Sequence, residues 1–458
     1  MSTAAASGYL SQPLAVAANL RVLQQHRPDR YPYLLQSVAR GTPHSRYDIL
    51  FAFPGERLTL HADGSLTGGL APTETDFLQA LDNCWRCAQL PLQSACAPPP
   101  FRGGWFVFLG YELAGQVETV LRLPHAGLPV AWATRVPAAI IHDHATGITT
   151  LVAETGRLDL LEVLATDAHA VVAERVWPGE LLISPLKEDH PEHYLGSVAR
   201  AHNYIHDGDI FQANLSRLWQ AQLHPQAPTA EIYRRLCQTN PAPFAGLVLQ
   251  NDYAIISSSP ERLVRVNAGK VETRPIAGTR PRSGDAHRDA ALVKELIENP
   301  KERAEHVMLL DLERNDLGRI AVTGSVRVDE LMVVESYAHV HHIVSNVRAD
   351  LRAGVTPGEV LRAVFPGGTI TGCPKVRCME IIAELEQAPR GIYTGSMGYL
   401  NRDGDMDFNI LIRTLVRNRG HLEFRTGAGI VMDSIPQREL EETRAKARGL
   451  ARALGVAL

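Results

Sequence analysis

The sequence predicts an α+β fold in which large, mainly antiparallel sheets are covered by helices. Short runs rich in aromatic and β-branched residues recur along the chain, joined by turn residues as hairpins require. Amphipathic stretches with helical spacing are interleaved with them. No internal repeat and no low-complexity segment interrupts this mixture.

Residues 1–180 form an N-terminal region. In it, 47–53 (YDILFAF) and 104–111 (GWFVFLGY) read as strands, and 138–141 with 149–152 read as a hairpin around the loop 142–147. Helical spacing follows over 158–176, and Trp177-Pro178-Gly179 marks a break. A second region, 187–455, opens with a helix over 192–205 and a strand over 211–220. Strands at 245–249 and 253–257 pair around Asn251-Asp252, and 288–314 reads as one long charged helix. Helices at 357–364 and 376–385 flank a glycine-rich loop, 408–416 and 422–426 read as paired strands, and 438–454 closes the region as an amphipathic helix.

The 458 residues are 45% hydrophobic and 21% charged, a globular mixture with a net charge of -4. That balance leaves no basic footprint for nucleic acid, and a small anionic substrate must find local positive groups. The six cysteines are too sparse and irregular for a disulfide framework, and Cys84 and Cys87 form a lone Cys-x-x-Cys one helical turn apart. No basic segment followed by an apolar stretch opens the chain, and no run approaches the ~18 apolar residues of a membrane helix. A cytoplasmic protein is expected.

Several patterns could carry chemistry. Glu302 with Glu305, and Glu439 with Glu442, are spaced three apart, so each pair shares a helix face. Two such faces across a cleft could hold a hard divalent cation, although helical glutamate pairs are more often simply solvated. Ser257-Ser258-Ser259-Pro260-Glu261 places a carboxylate directly after a strand. The loop 365–372 (FPGGTITG), followed by Lys375, lacks the Gly-Lys-Ser/Thr ending of a phosphate loop, and Thr426-Gly427-Ala428-Gly429 lacks the third glycine of a dinucleotide fingerprint. Their backbone N–H groups could still cradle a carboxylate. In His339-Val340-His341-His342, alternation puts His339 and His341 on one strand face, as a metal pair or as ordinary histidines.

In order along the chain stand GDIFQANLSR, SPERL, TRPIAGTRPR, KERAEHVMLLDLERNDLGR, FPGGTITGCPKVRCMEII, YTGSMGY, FNILIRT, TGAGIVMDS and ELEETRAKARGL. This series resembles the chorismate-utilising enzymes, which include anthranilate synthase component I, aminodeoxychorismate synthase component I, isochorismate synthases and salicylate synthases. The resemblance implies two large antiparallel sheets packed face to face with helices outside. It implies Mg2+, with Glu305 and Glu442 as site carboxylates and Glu302 and Glu439 beside them, gripping the ring carboxylate of chorismate near Gly278 and Thr279. Arg413 and Tyr393 match residues that bind the enolpyruvyl carboxylate, helped by backbone N–H groups around Gly427, Ala428 and Gly429; the planar fork of an arginine suits a carboxylate. Glu261 matches the general acid that protonates the departing C4 hydroxyl, His339 a histidine beside the ring, and Lys446 a lysine near the metal carboxylates.

Gln212 stands where isochorismate and salicylate synthases carry a lysine base, so ammonia rather than water is the expected nucleophile. The sequence contains no Gly-x-Cys-x-Gly glutaminase nucleophile, which implies a separate glutamine amidotransferase subunit. Ala277 matches the anthranilate pattern, whereas many aminodeoxychorismate synthases have a lysine there. The segments SRYDI (45–49), QANL (212–215), Pro366-Gly367-Gly368 and YTGS (393–396) lean towards the aminodeoxychorismate type, whose product passes to a separate lyase. Leu35, Ser37, Arg46, Pro243 and Phe244 match the family's tryptophan pocket, with an ordinary apolar seam between the sheets as the alternative reading.

Overall fold

The strand Gly104–Leu109 (GWFVFL) is buried along its whole length, so both of its faces are covered. Successive side chains point to opposite sides. Trp105, Val107 and Leu109 join one apolar cluster, Phe106 and Phe108 another. The same alternation divides Tyr47–Ala52: Ile49 and Phe51 share the cluster of Phe106, whereas Leu50 and Ala52 face a third. One core therefore lies between two sheets, and two more lie between each sheet and its helices.

In this computed structural model the described residues are 8–15, 18–39, 45–69, 75–91, 98–125, 127–170, 173–174, 176–337 and 340–458. Cys96 and His339 lie outside them. Among the described residues, a 12-stranded sheet runs from Tyr9–Leu14 at one edge to Gln212–Gln222 and Lys187–Glu188 at the other. An 11-stranded sheet runs from Ile276–Pro281 and Val340–Asp350 to Arg57–Leu60 and Leu66–Thr67. All the strand pairings are antiparallel. Strands from the first 180 residues complete both sheets: Tyr33–Gln36 pairs with Phe244–Leu249, and Gly104–Leu109 with Ser396–Asn401.

The seam between the sheets is aromatic. Tyr33 of the first sheet stacks on Phe106 of the second at 4.4 Å, and Phe51 meets Phe106 edge-on at 5.1 Å. The buried Trp132 donates its indole N–H to the Tyr253 hydroxyl at 2.9 Å, which satisfies the polar atom of each ring. Outside the second sheet pack Phe77–Ala88, Pro300–Gly318 and Pro357–Val364; outside the first pack Thr229–Thr239 and Pro436–Ala453.

Two expected elements are divided. The helix read over 288–314 is two helices, Ala286–Glu298 and Pro300–Gly318. Pro300 has no N–H to donate and disfavours helical geometry at the residue before it, and Asn299 is extended with ψ 112°. The run 408–416 is likewise two strands. Met406–Ile410 belongs to the second sheet and Thr414–Asn418 to the first, so the chain changes sheets between them. Arg413 sits in that crossing with φ 51°, in the left-handed region that few non-glycine residues occupy. The helix read over 158–176 is observed only as Asp159–His169.

Removing Phe106 from the seam opens a cavity lined by rings of both sheets. Phe106→Ala is expected to cost about 3–5 kcal/mol in urea unfolding. Phe211→Ala, at a ring 68% exposed, should change stability by less than about 0.5 kcal/mol.

Candidate active site

The strand His421–Ile430 builds the floor. Its first part pairs on both sides, with Thr414–Asn418 and with Gln212–Gln222, but from Arg425 onward only the second pairing continues. One backbone edge near Gly427 and Gly429 is thereby left without a strand. Alternation turns Ala213, Leu215, Ala428 and Ile430 into the apolar cluster beneath the helices Pro191–His206 and Lys375–Glu386. The opposite face carries Gln212, Asn214, Gly427 and Gly429. A Cβ on Gly427 would lie 2.7 Å from both the Tyr393 hydroxyl and Asn214 Oδ1, and one on Gly429 would lie 2.5 Å from Gln212 Nε2. Glycine at both positions is what lets these polar atoms close onto the strand.

Acidic groups border this floor on both sides. Gln212 Nε2 donates to Glu305 Oε1 at 3.1 Å. Lys446 Nζ donates to the Gly427 carbonyl at 2.9 Å and pairs with Glu442 at 2.8 Å. Glu439 and Glu442 both press electrostatically on the buried Tyr194 hydroxyl, which burial above all pushes well above its ordinary range. Glu302 accepts from Arg280 at 2.6 Å through one oxygen, while its other oxygen, Oε2, is buried with no hydrogen-bond partner. That orphaned oxygen lies where a Cβ on Gly278 would come within 2.0 Å, and Gly278 has φ 65° at a β-bulge, so only glycine fits there. These hard oxygen donors fit a cation such as Mg2+. Among the described residues, however, no three acidic, His or Cys side chains already converge on one point.

Glu261 is 5% exposed. Burial, with the nearby Glu313 carboxylate, pushes its carboxyl up to about 7, against the polar groups of Thr369 and Ile276 and the charge of Arg413. Arg413 is itself lowered by burial and held up by Glu261. His342, also beside Arg413 and the Gly278 backbone, is pushed down to about 3 by burial and then by that guanidinium, so it is neutral at physiological pH. Glu261, Arg413, His342 and Gly278 thus form one group, and Gly278 carries it on to Glu302.

A buried ion cluster supports Tyr393. Arg390 pairs with Glu386 at 2.7 Å, and Glu386 also accepts from Arg425 at 3.2 Å and from the Ser216 hydroxyl and N–H. Burial raises the Glu386 carboxyl, but the two guanidinium groups outweigh it and leave it below its ordinary value. Arg390 also donates to the carbonyls of Asn214 and Ile370 and lies over the rings of Tyr111 and Tyr393.

The family profile described as chorismate binding enzyme matches residues 44–452. The chain belongs to the chorismate-binding enzymes. It is similar to aminodeoxychorismate synthase component 1 of Bacillus subtilis (strain 168), 42% identical over 373 residues, which are 78% of each protein. It is also similar to anthranilate synthase component 1 of Thermus thermophilus, 41% identical over 446 residues, 93% of this chain and 92% of that one. Among solved structures, anthranilate synthase component I from Streptococcus pneumoniae TIGR4 superposes with a TM-score of 0.79 at 33% identity, covering 90% of this chain and 93% of that one. The two-sheet α+β architecture is therefore a family property, and the chain is a chorismate-utilising enzyme.

Within this chorismate-binding enzyme, Gln212, Tyr393, Lys446, Gly427, Ala428 and Gly429 lie together at the floor, Glu305 and Glu442 reach it, and Glu261, Arg413, Gly278 and Glu302 form the adjoining wall. Thr279 follows Gly278 across the bulge. Of the expected pocket residues, Leu35, Ser37, Pro243 and Phe244 lie beside one another, because Tyr33–Gln36 pairs with Phe244–Leu249 and the Val38 N–H donates to the Ala242 carbonyl. Arg46 bonds Asp143 at the surface, the Ser37 N–H donates to Asp48, Leu35 packs near Gly246, and Phe244, next to the buried Pro243, lies under Arg262. Sequence reasoning passed over His342, Thr369, Glu386, Arg390 and Glu313. For His342 the alternation that groups His339 with His341 turns it to the opposite face.

Gly427→Ala should force the Tyr393 hydroxyl and Asn214 apart at a cost of about 1–3 kcal/mol. A fall in kcat/KM for chorismate of roughly 5–150-fold, with an intact fold by circular dichroism, is the expected result.

Proposed function

We propose that this chain aminates chorismate at C4 to give 4-amino-4-deoxychorismate, using ammonia from a separate glutamine amidotransferase subunit and Mg2+ as cofactor. A downstream lyase would complete 4-aminobenzoate, on the route to folate. The segments SRYDI (45–49), QANL (212–215), Pro366-Gly367-Gly368 and YTGS (393–396) support entry at C4, and the observation that carries the use of ammonia is Gln212. Its amide donates to Glu305 and lies against Gly429. An amide has no basic site at neutral pH, so it cannot take a proton from water. Ammonia brings its own lone pair and needs no base to attack.

Glu261 takes the acid role. Hydroxide is a poor leaving group, and a carboxyl that burial holds near neutrality can protonate it as the C4–O bond breaks. Water departs, the ammonia lone pair forms the C–N bond, and the surplus proton on nitrogen passes to solvent. Arg413, with Tyr393 and the N–H groups near Gly427 and Gly429, binds the enolpyruvyl carboxylate. Glu302, Glu305, Glu439 and Glu442 would hold the cation, which would neutralise the ring carboxylate, while Lys446 pairs with Glu442.

A second reading is anthranilate synthase component I, in which ammonia enters at C2 and pyruvate is released. One observation favours it: Ala277, 7% exposed, occupies the position where a lysine would supply a covalent route.

The purified chain is to be incubated with chorismate, MgCl2 and ammonium chloride. 4-Aminobenzoate formed only after lyase is added is the expected result, and anthranilate fluorescence without lyase would overturn amination at C4. Glu261→Gln should abolish turnover and leave chorismate binding within about threefold. Wild-type kcat, divided by the concentration of free NH3, should be highest below pH 7 and fall above it, because the raised carboxyl must carry its proton to act.

A further inference from the structure

Arg280 takes no part in the steps above, yet it grips one of the carboxylates they use. It lies two residues beyond Gly278 on the strand Ile276–Pro281. The strand bulges at Gly278, and a bulge re-aims the side chains beyond it. The guanidinium fork then spans two helices. Its Nε donates to Glu295 Oε1 of Ala286–Glu298 at 3.0 Å, and its Nη1 donates to Glu302 Oε1 of Pro300–Gly318 at 2.6 Å. The Glu295 side chain is 61% exposed, so water screens that pair. The Glu302 side chain is 16% exposed, and a short charge-assisted bond at such a site is a strong one.

The two oxygens of Glu302 are therefore not equivalent. Oε1 is taken by the arginine, whereas Oε2 is buried with no hydrogen-bond partner. A buried acceptor left in that state costs free energy until a ligand completes it. Turning the carboxylate over exchanges the labels but not the arrangement: one oxygen meets the arginine and one is left over. The main chain beneath it is fixed, because the Glu302 N–H donates to Asn299 Oδ1 at 3.2 Å. The missing Cβ of Gly278 gives Oε2 its place, since that atom would lie 2.0 Å away.

Hard cations differ in how many oxygens they ask of one carboxylate. Mg2+ demands near-octahedral geometry, keeps several waters and takes few protein oxygens. Ca2+ takes roughly six to eight oxygens at longer distances and commonly draws both from one carboxylate.

We propose that Arg280 makes the cation site selective: by capping one oxygen of Glu302 it leaves this carboxylate a single oxygen to offer, which suits Mg2+ and handicaps Ca2+. The inference rests on the reading of Glu302 as a cation ligand. A cation that gripped both oxygens would have to break the Arg280–Glu302 bond, whereas one that needs only Oε2 leaves that bond intact and satisfies the orphaned atom. Arg280 is thus a positioning residue that acts through Glu302. Its positive charge also opposes any cation, but it opposes two divalent ions alike, so the ratio of their affinities reports the cap and not the charge.

The full chain is to be titrated calorimetrically with MgCl2 and, separately, with CaCl2, with chorismate present and no ammonium salt, so that binding is read without amination. In Arg280→Met the ratio of the Ca2+ to the Mg2+ dissociation constant should fall roughly tenfold from the wild-type ratio. Arg280→Ala serves where the methionine variant does not fold, and should lower the ratio in the same way. Arg280→Lys keeps a donor for Oε1 and should hold the ratio within about threefold of wild type. Glu295→Gln, which loosens the tie to the outer helix but leaves the cap, should hold it within about twofold. A ratio lowered as far by Glu295→Gln as by Arg280→Met would overturn the proposal, because helix placement would then set the selectivity. An unmoved ratio in a folded Met or Ala variant, alongside weakened Mg2+ binding in Glu302→Gln, would overturn the role of Arg280 and leave Glu302 as a ligand. Mg2+ binding unchanged in Glu302→Gln would instead remove Glu302 from the cation site, and the proposal with it.

Discussion

The site depends on the buried pairing of Arg390 with Glu386. A guanidinium removed from water is tolerable only with nearly all its donors engaged. Arg390 meets that demand by binding the Glu386 carboxylate, the Asn214 carbonyl in the floor strand and the Ile370 carbonyl in the glycine-rich turn. Tyr393 follows three residues later, under the same guanidinium. Segments 214, 370 and 393, far apart in the chain, are thus held to one charged group. Because each bond lies in a low dielectric, loosening one weakens the compensation of the rest, so the floor, the turn that carries Thr369 and the Tyr393 hydroxyl are fixed together.

Much of the fold was legible because burial leaves a periodic trace. The hairpin strands around residues 142–147 and 251–252 were found within a residue or two, since aromatic and β-branched runs between polar turns have few other readings. The errors arose where periodicity does not carry the information. Helical spacing continues through Asn299-Pro300, and only the proline, a local steric fact, stops the helix. The apolar run from Phe408 to Val416 is continuous in composition, because each half is buried in its own sheet. That the chain leaves one sheet for the other at Arg413 is a tertiary fact with no pattern of its own.

The site was legible in a different way. Spacing alone offered weak glutamate pairs and glycine-rich turns, and it was the collinear series of motifs that gave them roles. The supporting residues escaped because their partners are distant in sequence: Glu386 meets Arg425, and Glu313 lies against Gly368. Glu313 did leave a trace, a charged residue inside the apolar stripe of its helix, but the overall polarity of that helix masks a single anomaly. The segments matched to the tryptophan pocket are far apart in the chain and meet across one strand pair, with Leu35 opposite Gly246, which no local pattern announces.

Burial also explains how one cleft can use the same side chain for opposite purposes. Glu442 has half of its side chain exposed beside Lys446, open to water and to a hard cation. Glu261 lies behind the sheet crossing, where desolvation outweighs the attraction of Arg413 and the proton is retained. Arg413 stands between these two environments because its left-handed backbone turns the chain from one sheet to the other there. Strain of this kind, of order 1–3 kcal/mol, persists only where surrounding structure enforces it. Here the two sheets do so, since the strands on either side of Arg413 are paired into different ladders and the crossing residue has no freedom to relax.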